Sequence, residues 1–217
     1  MIPRPASATA GEPAPWAHLP SHRRHLTLDG IRAAFADAPD PLLTELEGTG
    51  RRASAVLAAL YEHEGIVHVV LTRRAQHMRS HRGEVSFPGG GQDPGEELWD
   101  TARREAFEEV ALDPESVELI GEIDHLTTVI GQASIIPYVG VLPGRPDLVA
   151  NATEVELILH VSLDELLLPE VFHEEWWQFQ NYAFPVRFFE IPGDTIWGAT
   201  GTMLYNLLAL LTGTTWR

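Results

Sequence analysis

Three glutamates, Glu105, Glu108 and Glu109, stand side by side in the stretch Arg104-Glu105-Ala106-Phe107-Glu108-Glu109-Val110. Carboxylates so close repel one another, and they lose hydration if the chain around them folds onto a core. A hard divalent cation with oxygen ligands would relieve both costs. A solvated acidic helix face is the plainer alternative. At about 100° per residue, residues 95–110 bring Leu98, Trp99, Ala102, Ala106 and Val110 into one apolar arc that must face a core. Glu105, Glu108 and Glu109 fall at i, i+3 and i+4 and form a stripe of their own. That stripe borders the apolar arc, and Glu109 points within it. A purely solvated face would lie opposite the core. The geometry therefore favours a cation site, and the three acids alone leave both readings open.

The second chemical feature lies just upstream. From Thr72 to Arg82 there are no acids but four arginines, Arg73, Arg74, Arg79 and Arg82, with His77 and His81. The chain has no lysine and a formal charge of −16, so this is a basic island. It runs directly into the loop Phe87-Pro88-Gly89-Gly90. Arginines there can hold phosphate groups through forked hydrogen bonds. A solvated loop that balances the acidic helix fits the composition equally well. His77 and His81, at i and i+4 and followed by Glu84, have the spacing of a zinc site, but four arginines are poor surroundings for a second cation.

Strands and helices must position these groups. Residues 27–39 carry apolar residues at helical spacing up to Pro39. Residues 53–61 and 66–74 read as strands joined by a hairpin at Glu62-His63-Glu64-Gly65. Residues 83–90 form a short strand that enters the glycine loop. After the acidic helix, residues 116–128, 133–142 and 154–163 read as strands, and Asp164–Leu168 as a short helix. Residues 176–191 are aromatic and extended, and residues 200–213 form a terminal helix stopped at Gly213. Strands leading into a helix, then more strands and a helix, predict an α+β layered fold. Residues 1–22, rich in Pro, Ala and Ser, read as a flexible or loosely docked arm, and residues 23–217 as a single domain.

Composition removes several functions. The acidic balance argues against broad binding to nucleic acid or an anionic membrane surface, while a local basic patch leaves an anionic small-molecule substrate open. The absence of cysteine excludes disulfides, thiolate metal sites and cysteine nucleophiles. No signal-peptide core or bilayer-length apolar run is present, so a cytoplasmic location is the default expectation.

The charged residues share one further regularity. Gly90, five residues, Glu96, seven residues, then Arg104-Glu105-Ala106-Phe107-Glu108-Glu109-Val110-Ala111-Leu112 resembles the Nudix box, Gly-x5-Glu-x7-Arg-Glu-U-x-Glu-Glu-x-Gly-U, where U is aliphatic. Every charged position matches. Ala111 replaces the last glycine, which is costly only if its φ is positive. The resemblance implies a Nudix hydrolase: an α/β/α sandwich around a mixed β-sheet that cleaves a diphosphate linked to another moiety with Mg²⁺ or Mn²⁺. It implies Glu105 and Glu109 as leading metal ligands, Glu108 as a further ligand or acid–base group, and the Gly90 carbonyl as a backbone ligand. Glu96 and Arg104 would pair to fix the loop against the helix. Some Nudix enzymes take the general base from a loop outside the box, and Glu154, in Asn151–Val155, is placed for that. An acid that merely starts a strand is the plainer reading of it.

Leu71-Thr72-x-Arg74-Ala75, Arg79, Gly83 and Phe87-Pro88-Gly89-Gly90 look like the signature of the coenzyme A diphosphatase branch of that family. Ile196-Trp197-Gly198-Ala199-Thr200 is similar to the same branch. The branch implies hydrolysis of coenzyme A, its thioesters or its oxidised forms to 3′,5′-ADP and 4′-phosphopantetheine, with Arg73, Arg74, Arg79 and Arg82 on the substrate phosphates. The alternative is a Nudix pyrophosphatase for ADP-ribose or another nucleoside diphosphate derivative. Trp176, Trp177, Phe179, Tyr182, Phe184, Phe188 and Phe189 can offer a stacking surface for adenine. Core or dimer contacts account for most of them, so a homodimer is an admissible state.

Overall fold

The protein is described here from a computed structural model covering residues 2, 4–44, 52–78, 81–128, 133–179 and 182–215. Its elements in chain order are β1 (Thr9–Ala10), α1 (Leu28–Ala36), β2 (Arg52–His63), β3 (Ile66–Arg74), β4 (Val85–Ser86), β5 (Gly89–Gly91), α2 (Leu98–Val110), β6 (Glu118–Glu122), β7 (Leu126–Thr127), β8 (Ala133–Val141), β9 (Val155–Ser162), α3 (Leu163–Leu166), β10 (Phe172–Phe179), β11 (Tyr182–Ile191), β12 (Asp194–Trp197) and α4 (Gly198–Thr212).

β2 is buried on both faces, and its alternation sorts the layers. Ala55, Leu57, Ala59 and Tyr61 share a cluster with Ala102, Ala106 and Val110 of α2. Ala58 and Leu60 point the other way, into a cluster with Val69 and Leu71 of β3 and Leu204, Leu207 and Leu208 of α4. Period-two alternation requires such a division when helices cover both sides of a sheet. β2 pairs antiparallel with β3 and β5 and parallel with β8, so the sheet is mixed. β4 and β9 extend it through β3, and β6 and β7 pair with β8. The result is the expected α+β sandwich around a central mixed sheet. The β2–β3 hairpin turns on Glu64 and Gly65, both at positive φ (52° and 76°), the twist a two-residue hairpin needs.

A second sheet, ordered β1-β10-β11-β12, packs with α4. Residues 176–191, read as one aromatic extended run, are parts of the two antiparallel strands β10 and β11. This sheet also corrects the reading of the N-terminus. β1 pairs with β10, and Trp16 is fully buried. Its ring stacks on Phe189 at 6.3 Å and meets Phe172 edge-on at 5.5 Å. Pro, Ala and Ser around it suggested a loose arm, but one indole can bury enough apolar area to anchor a segment of low local propensity. Trp16→Ala is expected to cost about 3–5 kcal/mol, read from urea denaturation. A loss below about 1 kcal/mol would show that the segment is not anchored through this ring.

Candidate active site

Helix α2 and strand β5 make the floor of the site. Glu105 and Glu109 sit one helical turn apart and face the glycine loop. A Cβ at Gly90 would lie 2.5 Å from the Glu105 carboxylate, and one at Gly89 would lie 2.4 Å from the Ala55 carbonyl oxygen. Only glycine lets this loop pass between sheet and helix. Glu109 is 5% exposed. Burial first, and then the neighbouring charge of Glu105, raise its carboxyl to about 8, with partial relief from the Gly89 backbone and Arg74. Its Oε2 is buried with no hydrogen-bond partner. Burial also raises Glu105, against the lowering effect of Arg104.

Glu108 differs from its neighbours. Its side chain is 53% exposed, and Oε2 accepts from Arg104 Nη1 at 3.2 Å. The helical stripe that groups the three acids in sequence is therefore split by the structure into one buried group, Glu109, one half-buried group, Glu105, and one exposed group, Glu108. Arg104 organises the rest. Its Nε and Nη2 donate to Glu96 at 2.9 and 3.2 Å, Nη1 donates to Glu105 at 2.9 Å, and Nη2 reaches the Gly91 carbonyl at 3.2 Å. Glu96 also accepts from Thr101 Oγ1 at 2.7 Å and from the Asp93 N–H. The Arg104 guanidinium first, and then these donors, lower its carboxyl to about 2. The Glu96–Arg104 pairing expected from sequence is present and ties loop to helix.

The basic island divides in the same way. Arg73 and Arg74 are adjacent in a strand and so point to opposite faces. The Arg74 charge is felt at Glu109, and its Nε is buried without a partner. Arg73, expected on substrate, is instead engaged by Asp194 at 3.1 Å and Glu156 at 3.3 Å. It ties β3 to β12. Arg82 is exposed, and its Nε donates to the Met78 carbonyl. Arg79 lies outside the described residues. His81 pairs with Glu84 at 2.8 Å, while His77 contacts the Thr153 carbonyl, so the two histidines do not converge.

Glu154 does converge on the site. Its charge raises both Glu105 and Glu109, and its carbonyl accepts from the Ala75 N–H at 2.8 Å. Sequence reasoning did not find the residue that holds it there, Asn151, whose side chain donates to the Glu108 carbonyl at 3.2 Å. No local pattern signals a loop that caps a helix forty residues earlier.

Among the described residues no three acidic or histidine side chains form a closed cage. A buried carboxylate with an orphaned oxygen and a half-buried one, beside a glycine backbone, are an open donor set. This suits a small hard cation that keeps water and takes phosphate oxygens to complete its shell. The residues present fit a divalent ion, which Glu105 and Glu109 would hold.

The family model for the NUDIX domain matches residues 51–183. The chain belongs to the Nudix family. Nudix hydrolase 3 of Caenorhabditis elegans is 34% identical over 175 residues, covering 73% of each chain. The Nudix hydrolase NudL of Yersinia pestis is 33% identical over 173 residues, covering 78% of this chain and 85% of its own. This Nudix protein is a pyrophosphohydrolase, and hydrolases of the family generally use divalent metal ions. No helix among its described residues is long and apolar enough to cross a membrane.

The helix that carries the site ends on a strained residue. Ala111, in place of the box glycine, has φ 55° and ψ 30°, the left-handed region that costs a residue with a Cβ about 1 kcal/mol or more. Ala111→Gly is expected to stabilise the protein by about 0.5–1 kcal/mol, part of the relief being offset by glycine's greater unfolded-state entropy. A higher urea midpoint at unchanged slope would check it.

Proposed function

We propose that this Nudix hydrolase cleaves the diphosphate of coenzyme A, or of its thioesters or oxidised forms, with Mg²⁺ or Mn²⁺. The observation that carries the reading is the meeting of two unlike groups. The Glu105–Glu109 pair, with the orphaned oxygen of buried Glu109, feels the charge of Arg74, whose own Nε is unpartnered, near the start of the basic segment. A diphosphate needs both a cation site and a fixed guanidinium. The upstream signature around Leu71, Thr72, Arg74, Gly83 and Phe87–Gly90 supports coenzyme A within that class.

In this reading Glu105 and Glu109 hold the cation, with the Gly90 carbonyl as a further ligand. A divalent ion bound there would supply neutralisation of the charge on the phosphoryl oxygens. Arg74 binds a phosphate oxygen and orients the diphosphate for in-line attack. Glu154 accepts the proton of the attacking water. Glu96 and Arg104 hold the glycine loop and the helix in register. The domain, with Trp16 packed into its core, acts as one catalytic unit on a small-molecule substrate, in a cytoplasmic setting.

Incubation with coenzyme A and Mg²⁺, with separation of products, is expected to give 3′,5′-ADP and 4′-phosphopantetheine. Efficient cleavage of ADP-ribose with coenzyme A left intact would overturn the substrate assignment and leave the diphosphatase chemistry standing.

A further inference from the structure

Helix α2 ends at Val110, and the last turn of any helix leaves carbonyls that the helix itself cannot use. The Ala111 N–H turns back to the Ala106 and Phe107 carbonyls. One loop takes the next three. The Glu108 carbonyl accepts from Asn151 Nδ2 at 3.2 Å, the Glu109 carbonyl from the Asn151 backbone N–H at 2.9 Å, and the Val110 carbonyl from the Val149 N–H at 3.0 Å. The helix that carries the Glu105 and Glu109 carboxylates is thus terminated by the loop that carries Glu154.

Asn151 also folds the chain beyond it. Its Oδ1 accepts from the Thr153 N–H at 3.2 Å and from Thr153 Oγ1 at 2.7 Å. Its carbonyl accepts from the N–H groups of Glu154 and Val155 at 2.9 and 2.8 Å. The turn is then tied to the end of β3, since the Thr153 carbonyl accepts from His77 Nε2 at 3.0 Å and the Glu154 carbonyl from the Ala75 N–H at 2.8 Å. Asparagine meets this double demand, because its short side chain carries a donor and an acceptor together. Aspartate lacks the donor, and alanine lacks both.

We propose that Asn151 is a positioning residue for the diphosphate hydrolysis, fixing the Glu154 carboxylate relative to the Glu105–Glu109 pair by capping α2 and folding the Glu154 turn in a single piece. The proposal rests on the reading of Glu154 as proton acceptor. Residues 142–154 run from the end of β8 to the start of β9 without a strand or helix, and a connection of that length permits several conformations. A base must come within hydrogen-bond reach of its proton, and a shift of about 1 Å costs about 10²-fold in rate. Asn151 removes that freedom at the residue where it matters.

The test is a double-mutant cycle on the full chain with Mn²⁺, using whichever of coenzyme A and ADP-ribose is turned over faster. Asn151→Ala is expected to lower kcat by about 10- to 100-fold, with KM and the Kd for Mn²⁺ alone each within about threefold. Asn151→Asp, which keeps the acceptor oxygen, is expected to lose less, and it carries the same cycle if the alanine variant does not melt cooperatively. In a Glu154→Gln background, Asn151→Ala should cost less than about threefold more, because residues that act as one unit do not add. Full additivity in an impaired Glu154→Gln background would overturn the role of Asn151 alone. An unimpaired Glu154→Gln protein would overturn the Glu154 reading and this inference with it. Amide exchange gives a readout that needs no turnover: residues 151–155 should exchange faster in Asn151→Ala while residues 98–106 stay as in wild type, and unchanged exchange at 151–155 would also refute the clamp.

Discussion

Glu109→Gln is expected to do two opposite things: lower kcat by orders of magnitude, about 10²- to 10³-fold, and stabilise the metal-free protein. The first follows because a cation ligand on the scissile diphosphate acts more strongly on the transition state than on bound substrate, so KM should change less than kcat. The second follows from burial. The folded Glu109 carboxyl is raised to about 8, while an unfolded glutamate ionises near 4.3. Between those values the folded state holds a proton that the unfolded chain has released. Folding is then favoured at low pH, and this contribution is lost as pH rises through the folded value. Metal-free wild type should lose up to about 1.4 kcal/mol per pH unit across that window, and Glu109→Gln should remove that part of the slope. Melting in chelator at pH 5, 6, 7 and 8 is the measurement. Equal slopes in the two proteins would mean that Glu109 is not the buried acid holding the proton.

The same linkage governs the metal. A cation at this site must displace the Glu109 proton, so the affinity for Mn²⁺ should climb with pH until about pH 8 and then level. On the proposed reading, binding the ion would take up the charge that burial otherwise keeps off Glu109. This accounts for acids that border the core in the first place. A helix optimised for stability alone would place apolar residues at Glu105 and Glu109.

Much of this arrangement is legible in the sequence because it is local. Helical spacing puts Glu109 in the apolar arc of α2, and burial at 5% follows. The Glu96–Arg104 pair joins a loop to the helix that immediately follows it. Period-two alternation separates Arg73 from Arg74, a signal that composition of the basic island obscures. What stays illegible depends on distant chain. Arg73 is drawn away by Asp194, a partner 121 residues further on. Trp16 gains its burial from Phe172, Phe189 and Tyr205, none of which is foreshadowed near it. The capping of α2 by Asn151 needs the fold, since no pattern within either segment points to the other.

Glu154→Gln and Glu108→Gln are expected to diverge in their effect on proton transfer. Glu108 is 53% exposed and shares Arg104 with Glu96 and Glu105. Its carboxylate is already engaged by a guanidinium, and its loss can be absorbed by solvent. Glu154 projects from a clamped turn, and its charge is felt at both Glu105 and Glu109. In the proposed reading it takes the proton of the water that attacks a phosphate held at Glu105 and Glu109. Glu154→Gln is nearly the same size, so binding should survive while proton transfer is lost. We expect kcat to fall by about 10²- to 10⁴-fold, with KM and the Kd for Mn²⁺ little altered, whereas Glu108→Gln should lose less than about tenfold. Steady-state rates with the two variants side by side decide it. The reverse order of effects would move the proton-accepting role to Glu108 and leave Glu154 as part of the turn that ends helix α2.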